Sequence, residues 1–349
     1  MTEMVVMASC NVQVAAHDNA LGSDVQVDFT LNETNYLTPH NLTLGIGNYR
    51  FTFPDEDQYG YPFAHCYIWY SSGSYKYIKA RDFILSITFF NQSDDFKLKA
   101  YYHVEPYSDK HPTLIYVDFP VTPIKRGENF SVSVGIRNVK DLFAWELYAY
   151  YPKEIMRGLL ISDTAFLNRI NGAPYIFLVD NYGVNGYCTY PFILFGGNFT
   201  PYNDYNLTHG LIHVGSTIIN SVGEYPGITT TGPIVKIKFE KQSDGEIKFF
   251  VAQDNSRFYT FLLDSSLNEI PSVVSLVSDL TGSQIGFPDG KVDIKDVAMV
   301  SKNFGMTEEN PNWDPWLDLT GAEYLSHDCI IDIKDVALVS KNFGKIFPK

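Results

Sequence analysis

The chain has few of the features that mark a zinc protein, a nucleic-acid binder or a membrane protein. Only four cysteines occur in 349 residues, and because none of them lies in a C-x-x-C pair, we expect no zinc site. Cys10 and Cys66 fall in one predicted domain, where a disulfide and two buried thiols are both compatible with the sequence. Lys and Arg number 26 against 40 Asp and Glu, and the net charge of −14 argues against nucleic-acid binding. No apolar run reaches the ~18 residues of a membrane span.

Motifs of catalysis are missing as well. The sequence contains no GxSxG, no HExxH and no phosphate-binding loop. Asp and Glu are scattered, and no pair of them stands out as the two carboxylates of a glycosidase. We therefore expect a protein without enzymatic activity. The first residues, MTEMVVMASCNVQVAA, alternate like a strand and lack the basic and apolar regions of a signal peptide.

Asparagine sequons nevertheless predict a glycoprotein that is extracellular or on the cell surface. The N-x-[ST] pattern occurs at six positions: Asn32, Asn41, Asn91, Asn129, Asn198 and Asn206. All of them precede residue 210. The segment 279–345 has a different composition, because it holds 12 Asp and Glu against 6 Lys and Arg.

Alternation of apolar and polar residues dominates the first three quarters of the chain and predicts strands. Residues 1–110 contain alternating runs such as DVQVDFTLN, separated by Gly, Asn or Pro every ~8–12 residues, as in a β-sandwich. The run TLGIGNYRFTFP resembles the Ig-like and carboxypeptidase-regulatory-like modules of surface proteins, which implies an Ig-like sandwich for 1–110. The polar segment EPYSDKHP at 105–112 predicts a linker.

Residues 111–272 predict a second, larger sandwich. The segment ENFSVSVGIRNVKDLFAWELYAYYP alternates across the short break NVKDL and predicts one shared face for Phe130, Val132, Val134 and Ile136. The order of its patterns resembles that of a cohesin domain, which implies a jelly roll. The matching positions are Gly127, Phe130, Val132, Val134, Asn138, Leu142, Gly232 and Phe239. A generic surface sandwich is the alternative interpretation.

A repeat with a period of 39 residues occupies the end of the chain. Residues 279–305 and 318–344 align without a gap and are identical at 17 of 27 positions, which composition does not explain. Each copy reads D-L-T-G, six variable residues, D-x-x-x-D-I-K-D and a run with helical period. When the six variable residues are set aside, oxygen donors fall at the ligand positions of a calcium loop.

Each repeat is therefore predicted to bind one Ca²⁺, two ions in all. The ligands of the first loop would be Asp279, Thr281, Asp289, the Lys291 carbonyl, Asp293 and Asp296. Those of the second loop would be Asp318, Thr320, Asp328, the Ile330 carbonyl, Asp332 and Asp335. Because carboxylates crowded in one loop repel one another, calcium should drive the folding of this segment. The sixth loop position favours glycine, which Gly290 supplies in the first loop, whereas the second loop has Cys329.

The run after each loop predicts a short helix that ends at Gly305 or Gly344. Apolar residues at helical spacing are expected to form the stripe over which the two helices pack: Ile294, Val297, Val300 and Phe304, matched by Ile333, Val336, Val339 and Phe343. A duplicated loop and helix, with Asp as the twelfth ligand, resembles a type I dockerin. This resemblance implies a small all-α calcium-binding domain at 273–349.

In dockerins, residues early on the helix and one or two turns later contact the partner. The matching residues in the first repeat are Ile294, Lys295, Ser301 and Lys302. In the second repeat they are Ile333, Lys334, Ser340 and Lys341. Because the two sets are identical, either helix would present the same docking face.

These expectations combine into a mainly β protein with an Ig-like sandwich (1–110), a cohesin-like jelly roll (111–272) and a dockerin (273–349). The resemblance implies a non-catalytic scaffold linked to polysaccharide degradation or cell-surface assembly. Its calcium-dependent tail would dock a cohesin-type domain of another protein or, head to tail, of a second copy of this chain. The alternatives are a calcium-stabilised structural tail without a partner, and a surface adhesin whose aromatic-rich second sandwich binds carbohydrate.

Overall fold

The computed structural model describes residues 9–18, 23–58, 63–71, 75–78, 80–87, 95–102, 107–120, 123–164, 175–179, 199–218, 227–253, 259–308, 310–320 and 328–347. Within these ranges the chain is mainly β, as predicted. It forms two compact units that divide between Val104 and Glu105. The first unit is a sandwich, and the second contains a further sandwich together with the C-terminal repeats.

The strands of the first unit are short and alternate between core and solvent. They are β1 Ser9–Asp18, β2 Ser23–Val25, β3 Asp28–Leu31, β4 Thr34–Leu37, β5 His40–Gly45, β6 Gly47–Thr52, β7 Phe63–Tyr70, β8 Tyr75–Ile78, β9 Asp82–Ile87 and β10 Phe96–Tyr102. One sheet has the order β2-β1-β10-β7-β8, with β5 also paired to β1, and the other has the order β4-β3-β6-β9. Strands β1 and β10 are parallel.

The two sheets of the first unit share one hydrophobic core. Val12 and Ile68 of the larger sheet and Phe51 of the smaller sheet belong to the same buried cluster, so the sheets face each other as a sandwich. Cys10 and Cys66 are both buried in this core as reduced thiols, and no disulfide joins them. Burial raises the pKa of the Cys66 thiol well above its ordinary value, which makes it unreactive.

The second unit begins with ten further strands. They are β11 Thr113–Asp118, β12 Asn129–Leu142, β13 Ala144–Pro152, β14 Met156–Asp163, β15 Tyr175–Val179, β16 His209–Ile218, β17 Ile228–Lys241, β18 Phe250–Val251, β19 Phe261–Leu263 and β20 Ser272–Leu276. One sheet has the order β14-β17-β12-β11-β20, and the other has the order β15-β16-β13-β18, with β19 also paired to β13. The Tyr151 and Phe239 rings, one from each sheet, lie 5.0 Å apart, so these sheets also pack face to face.

The alternation in β12 is confirmed by burial. The four residues expected on one face are at most 6% exposed: Phe130, Val132, Val134 and Ile136. The predicted break NVKDL is not a break but the end of the same strand, which is bulged at two points where its register to β17 shifts. Asn138 and Asp141 take positive φ angles of 55° and 59° there. The bulges bend the strand without ending it.

The described part of the predicted linker is held to this bulge. The Asn138 side chain accepts a hydrogen bond from Ser108 N at 2.8 Å and donates to Ser108 O and His111 O at 2.9 and 3.0 Å. Residues 107–112 therefore take a fixed path into β11, although their composition is that of a flexible segment.

The C-terminal segment 277–347, called the tail below, follows β20 directly. Strand β20 pairs in parallel with β11 and crosses the predicted domain boundary at 272/273. The tail contains two helices, α1 (Ile294–Lys302) and α2 (Ile333–Lys341), and a short 3₁₀ helix at Pro315–Leu317. Neither described α-helix has the length or the apolar run that crossing a bilayer requires.

The two repeats of the tail are joined to each other by reciprocal main-chain hydrogen bonds. Gly305, after α1, donates to Ile331 O at 2.8 Å, and Gly344, after α2, donates to Val292 O at 2.8 Å. Both glycines have positive φ, 80° and 84°, as expected for residues that end a helix. Each helix thus ends on the loop of the other repeat, and the two loops are held together as one body.

Candidate cation-binding and docking site

The first loop begins at Asp279, three residues after β20. Its carboxylate is completely buried and accepts hydrogen bonds from Gly290 N at 2.6 Å and Asp289 N at 3.1 Å. The hydroxyl of Ser275, in β20 itself, also donates to it. The last strand of the sandwich therefore positions the first side chain of the loop.

Asp296 connects the start of the first loop to the start of α1. One carboxylate oxygen accepts from Leu280 N and Thr281 N at 2.7 and 2.9 Å, and the other accepts from Asp293 N at 2.7 Å. Asp293 is the N-cap of α1, so the last of these bonds completes a capping box. A single buried carboxylate thus satisfies three main-chain donors that the helix and loop would otherwise leave without acceptors.

The second loop repeats the three hydrogen bonds of Asp296. Asp335 accepts from Leu319 N at 2.6 Å, Thr320 N at 3.0 Å and Asp332 N at 2.7 Å. Asp318 accepts from Asp328 N at 3.4 Å, as Asp279 does from Asp289 N. The sequence repeat is therefore also a repeat of hydrogen bonds.

The sixth loop position has a left-handed backbone in both copies. Gly290 has φ 91° and Cys329 has φ 65°. Cys329 is also buried, at 2% exposure. A residue with a Cβ costs roughly 1 kcal/mol in this conformation, so the second loop carries strain that the first avoids.

The loops hold buried negative charge. Four carboxylates are completely buried: Asp279, Asp296, Asp318 and Asp335. Burial raises the pKa of Asp279 to about 6, and the charge of Asp296 acts in the same direction. Burial also raises the pKa of Asp296, and it raises that of Asp335 to about 6. A buried carboxylate is costly to ionise unless a positive charge is close, so the donor chemistry fits a hard cation such as Ca²⁺.

The other predicted ligands lie around these carboxylates at the loop surface. Thr281 and Thr320 are buried, and the Thr281 hydroxyl accepts from Gly286 N at 3.0 Å. Four acidic residues are half-buried: Asp289, Asp293, Asp328 and Asp332. Lys291 and Ile330, predicted to bind through their carbonyls, are exposed.

The acidic side chains do not form a ready-made cage. Within the described ranges, no three His, Cys, Asp or Glu side chains come close enough together to hold a metal ion by themselves. A bound Ca²⁺ would therefore depend on threonine and main-chain oxygens as well as on the two buried carboxylates of each loop.

Lys334 occupies part of the second loop. Its Nζ donates to Asp328 Oδ2 at 3.0 Å and lies 3.6 Å from Asp332 Oδ2. Asp328 and Asp332 are predicted ligands, so the lysine competes with a cation for their oxygens. Within the described loop residues, no corresponding ion pair joins Lys295 to Asp289 or Asp293.

The sandwich contacts the tail through residues that the sequence analysis did not single out. The His111 ring stacks on Trp316 at 5.0 Å, and its nitrogens lie 2.7 Å from Asp314 Oδ2 and 3.2 Å from Gly286 O. Gly286 has φ +77°, and a Cβ there would approach the His111 ring to 2.3 Å. Glycine therefore permits this close contact between the two parts of the second unit.

Arg137, on β12, completes the interface. Its guanidinium is fully buried, donates to Val277 O at 2.9 Å, and lies 5.7 and 5.5 Å from the Tyr116 and Trp316 rings. Burial lowers the pKa of Arg137 to about 10, while Tyr116, Asp335 and Asp318 oppose this effect. A permanent cation of the sandwich thus lies beside the second loop.

The predicted docking residues lie at the surface of the tail. All eight are exposed: Ile294, Lys295, Ser301, Lys302, Ile333, Lys334, Ser340 and Lys341. Ile294 and Ile333 are 66% and 65% exposed, a large fraction for isoleucine. The two faces are alike in sequence and in exposure, but Lys334 is paired with Asp328 and Lys295 has no corresponding pair within the described loop residues.

The predicted packing stripe is only partly correct. Val300 and Val339 are completely buried, but Ile294, Phe304, Ile333 and Phe343 are between 57% and 66% exposed. The Asn342 side chain, at the C-cap of α2, is buried as well and donates to Ser278 Oγ at 2.8 Å. Four large apolar side chains remain available at the surface.

The described sequons are accessible. Four of the six asparagines are exposed: Asn32, Asn41, Asn129 and Asn206. The other two, Asn91 and Asn198, lie outside the described residues. Most of the aromatic-rich middle of the second sandwich, considered above for carbohydrate binding, also lies outside them.

Comparison with known proteins adds distant structural matches. No protein-family model and no curated protein matches the chain. A non-cellulosomal cohesin from the archaeon Archaeoglobus fulgidus is 14% identical, covering 47% of this chain and 86% of that one, with a TM-score of 0.29. A type II cohesin domain from the cellulosome of Acetivibrio cellulolyticus is 14% identical, covering 48% and 92%, with a TM-score of 0.30. A chain of a type I cohesin–dockerin complex from Clostridium thermocellum is 11% identical, covering 49% and 93%, with a TM-score of 0.31. Similarity at these TM-scores does not by itself establish a shared fold or function.

Proposed function

We propose that this chain is a non-catalytic assembly protein whose tail docks a cohesin-type domain in a calcium-dependent manner. The observation that carries the proposal is the exposure of all eight residues at the matched docking positions, although the tail is packed against its own sandwich. An amphipathic tail without a partner would be expected to bury its apolar residues. Here Ile294, Phe304, Ile333 and Phe343 face solvent instead.

The two docking faces would act as alternatives. Each presents an exposed isoleucine and lysine at the start of a helix and an exposed serine and lysine at its end, and the two helices have the same burial pattern at these positions. One face is therefore sufficient for one partner. Loss of a single face should weaken binding only slightly, and loss of both should abolish it.

Calcium would act by stabilising the loops that fix the helices. A bound Ca²⁺ supplies the positive charge that the buried carboxylates lack, and the predicted ligand sets would hold one ion in each loop. Asp296 and Asp335 would transmit this stabilisation from the loops to the helices, because each joins a loop to the first turn of a helix. The orientation of the docking residues on each helix then depends on an ordered loop.

The partner is expected to be on another molecule. The chain's own sandwich contacts the tail through His111 and Arg137, yet the eight predicted docking residues are exposed. A second copy of this chain is therefore a possible partner, and repeated head-to-tail contacts would give rings or filaments. The exposed sequons support a setting outside the cell.

The test combines charge substitutions on the two faces. Ile294→Asp and Ile333→Asp each place a charge in one face, and Leu207→Asp, at a site 92% exposed in the same unit, is the matched control. Full-length chains would be measured by light scattering for self-association, and by biosensor against immobilised cohesin domains. Each measurement is made in saturating Ca²⁺ and in chelator.

The expected result is binding in calcium that survives each single substitution and the control, and is lost in the double variant and in chelator. If the chain stays monomeric and binds no cohesin domain in saturating calcium, the proposal is wrong. A rise in thermal stability with calcium, without binding, would support the second candidate, a structural tail. The buried His111–Arg137–Trp316 contacts favour that candidate, because they fix the tail without any partner.

A further inference from the structure

A groove in the first unit has the volume of a small-molecule site. It has a volume of about 570 Å³ and lies on the larger sheet, across the neighbouring strands β5, β1, β10 and β7. Six of the side chains that line it are Asn11, Gln13, Asn41, Trp69, Asp95 and Lys97. Its size falls within the ~300–1,000 Å³ of typical ligand sites.

These side chains point away from the core. Val12, Ile68 and Phe96, which alternate with them along the strands, belong to the buried cluster between the two sheets. The polar residues of the groove are exposed, and Trp69 is half-buried. The groove is therefore accessible from solvent and separate from the core.

Aromatic rings support Trp69 on this face. The Tyr67 ring lies 5.7 Å from Trp69, and the Tyr101 ring lies 6.0 Å from Tyr67 at an interplanar angle of 85°. Tyr67 and Tyr101 are themselves buried, at 2% and 4% exposure. A half-buried indole packed beside these rings is a rigid platform, because its neighbours restrict its movement.

The polar side of the groove is held in place before any ligand binds. The Asp95 carboxylate accepts from Asn11 N at 2.9 Å and from Asn11 Nδ2 at 3.4 Å, and its main-chain oxygen accepts from Ser71 N at 3.1 Å. Thr43 Oγ1 donates to Asn11 Oδ1 at 3.4 Å. Residues on or next to four neighbouring strands are thus joined at the groove, which lowers the entropy cost of binding.

The charged and amide groups that line the groove indicate which class of ligand it binds. The six residues include one carboxylate, one ammonium and three amides, so the groove is close to neutral and offers both donors and acceptors. A phosphate or a metal ion would require an excess of one charge. A pyranose ring has hydroxyls around its edge and C–H bonds on its faces, and those C–H bonds pack against the negative face of an indole.

We propose that this groove binds a neutral oligosaccharide, with Trp69 as the stacking platform and Asn11, Gln13 and Lys97 as hydrogen-bonding partners. The site does not depend on the docking function and belongs to the other unit of the chain. Asn41, at one wall, lies in a predicted sequon, so a glycan attached to it would offer the same kind of sugar rings as an external ligand. The proposal commits to an oligosaccharide of another molecule.

The test uses the full chain made in a host without N-glycosylation. Titration calorimetry with cellohexaose, xylohexaose, mannohexaose and chitohexaose should show binding to at least one of them. Its affinity should change little with salt, because the ligand is uncharged. Trp69→Ala should weaken binding by about tenfold or more, and Trp69→Phe should retain most of it.

Two further variants distinguish the loss of a contact in the groove from misfolding of the chain. Gln13→Ala changes an exposed side chain in the groove and should weaken binding about threefold. Ile84→Ala, on the smaller sheet at a residue 64% exposed, should leave binding unchanged. The proposal is overturned if none of the four sugars binds at millimolar concentration, if Trp69→Ala and Gln13→Ala both bind like the parent, or if affinity depends strongly on salt.

A last comparison separates the two sources of sugar. Chain from a glycosylating host is measured beside Asn41→Gln from the same host. Equal binding by both supports an external ligand. Binding that appears only in Asn41→Gln would show that the glycan on Asn41 fills the groove, and would overturn the choice of occupant.

Discussion

The first and second repeats of the tail have nearly the same residues in different surroundings. They are identical at 17 of 27 positions, and the shared positions include every aspartate that fixes a loop. Asp296 and Asp335 accept the same three main-chain hydrogen bonds. The geometry of loop and helix therefore depends on the residues that the repeats share.

Three features set the second loop apart from the first. Cys329 replaces a glycine at a left-handed position, Lys334 donates to a predicted ligand, and Arg137 brings a buried positive charge from the sandwich. Each of these features opposes the binding of a cation. Although the predicted ligands are identical, we expect the first loop to bind Ca²⁺ more tightly than the second.

The largest effect is expected from removing the aspartate that joins loop and helix. Asp296→Ala and Asp335→Ala each leave three main-chain donors without their acceptor and should lower the free energy of unfolding by about 3 kcal/mol or more. Urea titration measures this loss. Calorimetry should detect one Ca²⁺ in each single variant and none in the double variant.

The matched controls are Asp296→Asn and Asp335→Asn, which keep one acceptor oxygen and the shape of the side chain. They should lose calcium affinity but keep more stability than the alanine variants. Asp296→Ala should remove the tighter binding event and Asp335→Ala the weaker one. The inequality of the two loops is wrong if both variants remove the same event.

Substitution of the residue at the sixth loop position should have an effect of intermediate size on the stability of the loop. Cys329→Gly removes a Cβ from a backbone with φ 65° and should stabilise the second loop by about 1 kcal/mol. Gly290→Ala should destabilise the first loop by a similar amount. Differential scanning calorimetry in saturating calcium measures both, and the two substitutions together should reduce the difference between the calcium affinities.

An effect of Cys329→Gly with the opposite sign would show that the buried thiol contributes more by packing than it costs in strain. Cys329→Ala separates the two contributions, because it removes the sulfur and keeps the Cβ. It should not stabilise the loop.

Local and periodic features of this chain could be predicted from the sequence. The alternation in β12 placed Phe130, Val132, Val134 and Ile136 correctly, because a strand repeats every two residues. The positive φ angles of Gly305 and Gly344 followed from their place after a helical run. The repeat with its period of 39 residues predicted where both loops lie in the sequence.

Contacts between distant parts of the chain could not be predicted. His111, Arg137 and Trp316 form one buried cluster, but no local pattern connects residues so far apart. A buried arginine is also rare, so composition places it at the surface. The one signal was Trp316 itself, which together with Trp313 stands out in the short, mostly polar segment between the two repeats.

The helix faces were misassigned for a related reason. In a helix of nine residues, apolar positions can define a stripe, but they do not tell which neighbour covers it. Each helix here turns Val300 or Val339 inward and leaves its isoleucine outside. The sandwich beneath the tail, which the pattern does not include, decides which side is buried.

The smallest effect is expected at Lys334. Contact with the Asp328 carboxylate raises the pKa of this lysine, but its side chain is 51% exposed, so the ion pair contributes only about 0.2–1 kcal/mol. Lys334→Met removes the competitor and should strengthen calcium binding in the second loop by about two- to fivefold. Lys295→Met, the matched control in the first loop, should leave calcium affinity unchanged. Calorimetry at low and high salt tests the cause, because the gain should shrink as salt screens the ion pair. An equal gain from both substitutions would mean that general charge, rather than the position of Lys334, separates the two loops.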